Sequence, residues 1–302
     1  MSSLQDPRPS ARCPHGERET MDAATEFFAH LPARVLDGIQ FEAMRYAMGT
    51  LSVFVLVWLL FAPLLKSRKI RTTPHRARQI RDEIRNSAVT ILVFVSLDVL
   101  IFDLGDRGLF RKYDEIGQFG WWWFLVSIPA ALVLHDAWFY WTHRLMHTKR
   151  FYRVFHLTHH RSHNPTPFTA YSFAPGEAVV NYMFIPVLLI LLPIHSLALY
   201  TVMNIMIFKN ATAHCGYELF PRSWVFHPLL GCLTTVTHHD MHHARANGNY
   251  GFYFTWWDRW MGTEHADYLD QIGRRLAAEL DQRASKATGA PVMATAKQEA
   301  SA

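Results

Sequence analysis

Charge is scarce in this 302-residue chain: Asp, Glu, Lys and Arg make up only 18% of it, against about 25% in soluble domains. Half of the residues are hydrophobic, which excludes a disordered chain and points towards lipid. Cysteine is scarce too. Cys13, Cys215 and Cys232 are scattered, form no CxxC pair and build no disulfide framework; reduced thiols fit a site facing the cytosol. The first forty residues lack a basic stretch followed by an apolar one, so no cleavable signal peptide is expected. There is no internal repeat, no Gly-rich nucleotide fingerprint, no flavin motif and no CxxCH haem attachment. Net charge is +5 with histidine neutral. What is plentiful is histidine: 18 residues, 14 of them between His135 and His243.

Five apolar runs organise the chain. Ala47–Leu65 has nineteen residues without a charge, about the length that crosses a bilayer as a helix. Ala88–Phe102 is interrupted only by Asp98, which would be costly facing lipid. A third run starts at Gly120 with Trp121-Trp122-Trp123, an interfacial belt, and reaches Leu134 just before His135. Ala178–Leu192 and Leu197–Phe208 flank Pro193-Ile194-His195-Ser196 and read as a hairpin that does not fully emerge on the far side. Between the first two runs lie Lys66, Arg68, Lys69, Arg71, Arg76, Arg78, Arg81 and Arg85, a basic loop that marks the cytoplasmic side. Counting helices forward then puts His135, His214 and all later histidines on that side. The expected fold is an all-α integral membrane protein. It has four to five membrane helices, including the hairpin, and a cytoplasmic helical cap that holds a histidine-rich metal site. The expected divisions are a polar segment at 1–46, membrane helices and the basic loop at 47–119, a catalytic domain at 120–265, and a short helix with a disordered tail at 266–302. The helix is placed at Tyr268–Arg283 and the tail from Ser285.

Three histidine clusters carry the chemistry: His143-x-x-x-His147, His156-x-x-His159-His160 and His239-x-x-His242-His243. Residues three and four apart share a helix face, so each cluster can aim two or three imidazoles at one point. Eight imidazoles are too many for one zinc, which takes three or four ligands. Two adjacent ions with four or five nitrogen ligands each would use them. Imidazole suits iron, copper, zinc and nickel alike, and ligand softness does not choose among them. No Glu-x-x-His pair or His-Glu-x-x-His helix is present, which excludes the soluble carboxylate-bridged di-iron bundle and the zinc proteases.

The segments HDAWFYWTHRLMH, HLTHH and HHDMHHARANGNYGFYFTWWDRWMGT resemble the membrane fatty-acid hydroxylase and sterol desaturase superfamily, in order and spacing, from Trp123 to His265. Asn249-Tyr250-Gly251 and Trp257-Asp258-Arg259 add to the resemblance. It implies a di-iron centre on the cytoplasmic face, O2 as co-substrate, and hydroxylation or desaturation of a lipid. It implies His143, His147, His156, His159, His160, His239, His242 and His243 as ligands. His214, in His-Cys-Gly-Tyr, matches the family's His-x-Gly-aromatic element as a ninth. His135, two turns before His143, His238, beside the third box, and Asn210, one turn before His214, are further candidates for the metal or its surroundings. Asp136, Asp240 and Asp258 are candidates to fix imidazole tautomers. His163, His195 and His227 read as capping or loop residues.

The function expected is hydroxylation of an acyl chain, a sterol-like molecule or an aminolipid such as an ornithine lipid. Desaturation is the alternative within the family, and a non-enzymatic membrane metal-binding protein is the alternative outside it. Electrons would come from a separate ferredoxin- or cytochrome-type donor. The basic loop could dock an acidic redox protein or anionic head groups, although simple topology explains it fully. The expected setting is a bacterial inner membrane, or the endoplasmic reticulum if eukaryotic.

Overall fold

The computed structural model describes residues 15–106 and 108–288 and is helical almost throughout. Helix α1, His15–Val53, runs on through a π-helical stretch, Phe54–Leu60. Helices α2, Ala77–Asp106, and α3, Gly120–Met146, follow. Among the described residues, three segments are long and apolar enough to cross a bilayer: Phe28–Leu60, Ala77–Ile101 and Gly120–Met146. The hairpin comprises α5, Pro175–Tyr182, and α6, Phe184–Leu191, going one way and α7, Ser196–Ala213, returning. Its tip, β2 at Ile194–His195, pairs in parallel with β1, Lys112–Tyr113, in the α2–α3 connection. The hairpin thus reaches the far end of the bundle. Short helices α4, Leu157–His160, α8, Val236–Arg245, and α9, Trp256–Trp260, with α10, Tyr268–Thr288, complete the described chain. Helix α10 runs past Arg283 and takes in the first residues expected of the tail, Ser285 to Thr288; the rest of the tail lies outside the described residues.

The first crossing segment starts nineteen residues before the apolar run that marks it in the sequence (47 − 28). The charges that seemed to end the run, Glu42 and Arg45, are buried and neutralise each other through two bonds of 2.7 and 2.5 Å. A charge pair closed within the bundle does not interrupt a membrane helix as a lipid-facing charge would. Asp98 is handled similarly: the Tyr182 hydroxyl donates to its carboxylate. Lipid-facing positions are apolar, with Leu59, Leu60, Leu100 and Leu125 all exposed, as a bilayer-embedded surface requires.

The basic loop folds onto the histidine region instead of standing free. Arg71 donates to the Asp240 carboxylate at 2.7 Å, to its carbonyl at 2.9 Å and to the His163 carbonyl at 2.6 Å. Arg68 donates to the carbonyls of Leu219 and Phe220. The loop and the histidines therefore occupy one end of the bundle. Helices α1 and α7 approach closely at Gly49, where an added Cβ would lie 2.8 Å from Ile207 Cγ1. A Gly49→Leu substitution is expected to cost about 1–3 kcal/mol through overpacking, read as a lower unfolding temperature in detergent, with Gly49→Ala milder.

Candidate metal centre

Four segments deliver imidazoles to one end of the bundle. The last turns of α3 carry His143 and His147. A π-helical turn, Tyr152–His156, leading into α4 carries the second cluster. The end of α7 presents His214. Helix α8 carries the third cluster; its start is set by the Thr235 side chain, which accepts from the His238 amide at 3.1 Å, an ordinary N-cap.

The rings sort into two groups. His143, His147, His156, His160 and His242 form one, and His159, His214, His239 and His243 the other; within each, one nitrogen per ring lies within 4.8 Å of all the others. The sorting follows from helix geometry. In each HxxHH cluster the first and fifth residues share a face, so they serve one group. The fourth is turned by about 100° from the fifth and serves the other. The two groups abut, with His160 and His243 rings 4.8 Å apart.

Hydrogen bonding shows what the groups suit. His143 donates Nδ1–H to the Tyr250 carbonyl at 2.9 Å, and His242 donates to the Gly248 carbonyl at 2.7 Å. His214 donates to the Asn210 carbonyl at 2.7 Å, and His156 donates to Glu177 Oε1 at 2.7 Å. In a neutral ring each such bond leaves Nε2 bare. Yet His143 Nε2 and His156 Nε2 stand 3.0 Å apart, two lone pairs facing each other when Glu177 is ionised. His214 Nε2 faces three others, His239 at 2.9, His243 at 3.1 and His159 at 3.3 Å. Converging bare nitrogens about 3 Å apart in a buried site fit a cation held at metal–nitrogen distances of about 2 Å. The carbonyl and carboxylate partners behind the rings are the usual means of orienting such ligands.

The loop after α8 is itself braced. Ala246 and Asn249 adopt positive φ, 57° and 56°. Asn249 donates to the His238 carbonyl and accepts from the His265 amide. Asp258 receives the Tyr250 and Gly251 amides at 2.8 and 2.7 Å and the Thr263 hydroxyl at 2.7 Å. The Asn-Tyr-Gly and Trp-Asp-Arg elements thus hold in place the two carbonyls on which His143 and His242 lean.

The remaining candidates stand elsewhere. His135 is outside both groups: its Nδ1 lies 3.1 Å from the Tyr253 hydroxyl and its ring packs on Phe184 and Phe252. His238 is wholly buried, with Nε2 3.6 Å from Asp258 and its ring against Tyr268, and it joins neither group. The Asn210 side chain bonds the Ala170 carbonyl; only its own carbonyl meets a histidine. None of the three aspartates holds a box imidazole. Asp136 binds the amides of Tyr253 and Phe254 and the Trp256 indole, and Asp240 pairs with Arg71. The carboxylate that does meet a box histidine is Glu177, missed in the sequence. Its signal was a lone charge in the otherwise apolar stretch from Phe173 to Leu192. His195 and His227 cap: their Nδ1 atoms accept from the amides of Leu197, and of Leu229 and Leu230.

Burial keeps the rings neutral. His160 is pushed down to about 3 and His214 to about 4 by desolvation, and desolvation with neighbouring imidazoles holds His239, His242 and His243 well below the ordinary value. An unfolded histidine titrates near 6.5, so below that pH the unfolded chain binds protons that the folded chain refuses. Stability is therefore full above about pH 6.5 and falls as pH drops towards 4, by up to about 1.4 kcal/mol per pH unit for each such ring. Thermal unfolding of metal-stripped protein between pH 7.5 and 4.5 checks the sign. Replacing Glu177 by Ala is expected to weaken metal affinity about 10- to 100-fold, with Glu177→Gln milder because it keeps an acceptor; competition titration measures both.

Residues 128–263 match the family model described as fatty acid hydroxylase. The chain is 30% identical to a Delta(7)-sterol 5(6)-desaturase of Gibberella zeae, over 71% of this chain and 65% of that protein. It is 32% identical to a C-4 methylsterol oxidase of Schizosaccharomyces pombe, over 53% and 54%. It is 31% identical to a lathosterol oxidase of Homo sapiens, over 60% of each. The chain thus spans about half to two thirds of the length of these curated relatives. No solved structure matches it. With three crossing helices, three histidine boxes in family order and these matches, the chain belongs to the membrane fatty-acid hydroxylase and sterol desaturase superfamily.

Proposed function

We propose that this chain is a membrane oxidoreductase that uses two iron ions and O2 to attack an unactivated C–H bond of a lipid, with hydroxylation as the outcome. The observation that carries this reading is the division of nine imidazoles into adjoining groups of five and four. An alkyl C–H has no leaving group and no acidic proton, so acids, bases and nucleophiles of the protein cannot break it. Bound iron would supply the redox chemistry and the activation of O2 that side chains lack.

The chain's own residues do the rest. His143, His147, His156, His160 and His242 would hold one ion, and His159, His214, His239 and His243 the other. Glu177 and the carbonyls of Gly248, Tyr250 and Asn210 fix which nitrogen each of their rings presents. Phe139 packs on His143 at 4.8 Å, Phe173 on His159 at 5.5 Å, and Phe252 on Phe139 at 4.6 Å. This aromatic wall keeps water from the face turned to the membrane helices. The names of the relatives are those of sterol enzymes, which favours a sterol-like lipid over an acyl chain or an aminolipid. We place the histidine end at the cytoplasmic face, from the basic loop packed against it, and assign electron delivery to a separate donor.

Two substitutions, His159→Ala and His242→Ala, take one ligand from each group. Each is expected to abolish the product and lower iron per chain. Lipid extracts of cells with and without the gene identify the product: one oxygen atom heavier means hydroxylation, two hydrogen atoms lighter means desaturation. Full product formation by either variant would overturn the reading, and one exchangeable metal without any lipid change would favour a metal-binding role instead.

A further inference from the structure

A cavity of about 480 Å³ lies between α1, α2, α6 and α7. A smaller chamber of about 60 Å³ lies beyond it, bordered by His135, Phe139, Phe173 and Phe252. The two share Tyr182, Ile185 and Met203 as lining, so only these side chains separate them. Their walls run as continuous helix stripes. On α7 the stripe is Ser196, Leu199, Met203, Met206 and Asn210, fourteen residues or about 21 Å of helix. It begins at the far end of the bundle and ends at the residue whose carbonyl orients His214. On α1 it is Arg34, Gly38, Phe41 and Arg45. The smaller chamber lies on the histidine side, where His135, Phe139 and Phe252 border it.

Arg45 lines the smaller chamber and reaches the backbone of Met203, a residue that lines both. It is 5% exposed, in the middle of the crossing segment Phe28–Leu60. Its Nη2 is paired with Glu42, and its Nη1 donates to the Met203 carbonyl at 3.2 Å. Its Nε has no acceptor among the described residues. A guanidinium donor left unmatched in a membrane interior is costly, and a charged side chain at that depth marks function by default. The charge itself is already cancelled by Glu42, and Asp98 lies close by on the Tyr182 hydroxyl. A carboxylate or phosphate brought to Arg45 would also meet Glu42 and Asp98, while the cations that line the larger chamber, Arg34 and Lys112, share it with Asp37. A neutral oxygen would find a donor without upsetting the balance.

We infer that Arg45 is a specificity-determining residue: it registers an uncharged oxygen of the substrate, a hydroxyl or carbonyl, in the smaller chamber and so fixes how deep the lipid reaches towards the histidines. This rests on reading the chain as a lipid oxidase. The test is binding to the full chain in detergent micelles, with cholesterol, cholestane and cholesteryl sulfate as probes and iron content measured on the same preparation. Cholesterol is expected to bind about tenfold to a hundredfold more tightly than cholestane, the worth of one hydrogen bond to a charged donor, and more tightly than the sulfate. Arg45→Lys keeps the pair with Glu42 but removes the Nε donor. It is expected to bring the cholesterol-to-cholestane ratio below about threefold. A merely structural role would lower all three affinities together. Equal affinity for cholestane, preference for the sulfate, no binding of cholesterol, or a ratio unchanged in Arg45→Lys each overturns the inference. The wild-type comparison decides even where the variant does not fold. The oxidase reading itself stands or falls on a separate readout, iron content and product formation of the wild-type chain.

Discussion

Bare ring nitrogens facing one another at about 3 Å are the constraint on which this structure turns. Left alone they repel, and each has given up its water to be there. The protein forces the arrangement by occupying the opposite nitrogens of four rings: three meet backbone carbonyls, which can only accept, and one meets the buried Glu177 carboxyl. Everything nearby serves that arrangement. Asp258 exists at its position to hold two amides of the loop, Asn249 to hold the loop's turn, and Arg71 to clamp the back of α8.

What the sequence disclosed was whatever leaves a mark in side-chain identity. The boxes were legible because imidazoles three and four apart must share a face. Their split into five and four was not, since it depends on how α3, α4, α7 and α8 are placed relative to one another. Capping by His195 and His227 was legible from the turns that contain them. The carbonyls of Gly248 and Tyr250 were invisible, because a backbone acceptor has no residue signature; only the loop's dihedrals aim it. Asp136, Asp240 and Asp258 were natural suspects as imidazole partners. They turned out to bind amides, an indole and an arginine, work that a short acidic side chain does equally well. Glu177 sits at the edge of the apolar run Ala178–Leu192, where a single charge carries no spacing pattern that ties it to the histidines.

The first membrane helix gives the same lesson from the other side. Hydropathy counts Glu42 and Arg45 as two charges; the folded chain carries them as one neutral pair. The count therefore began the helix too late. The same pair lines the smaller chamber, so the late boundary and the buried charge pair in that wall have one cause.

Helices α4 and α8 each send neighbouring histidines to different groups: His159 and His160 from one, His242 and His243 from the other. Adjacent residues are tied by a fixed stretch of about 3.8 Å of backbone. The separation of any two ions lodged there is thus gauged by peptide geometry, like the teeth of a comb. Altering it would demand sliding a whole helix, so evolution can vary what enters the passage without disturbing the spacing at its end.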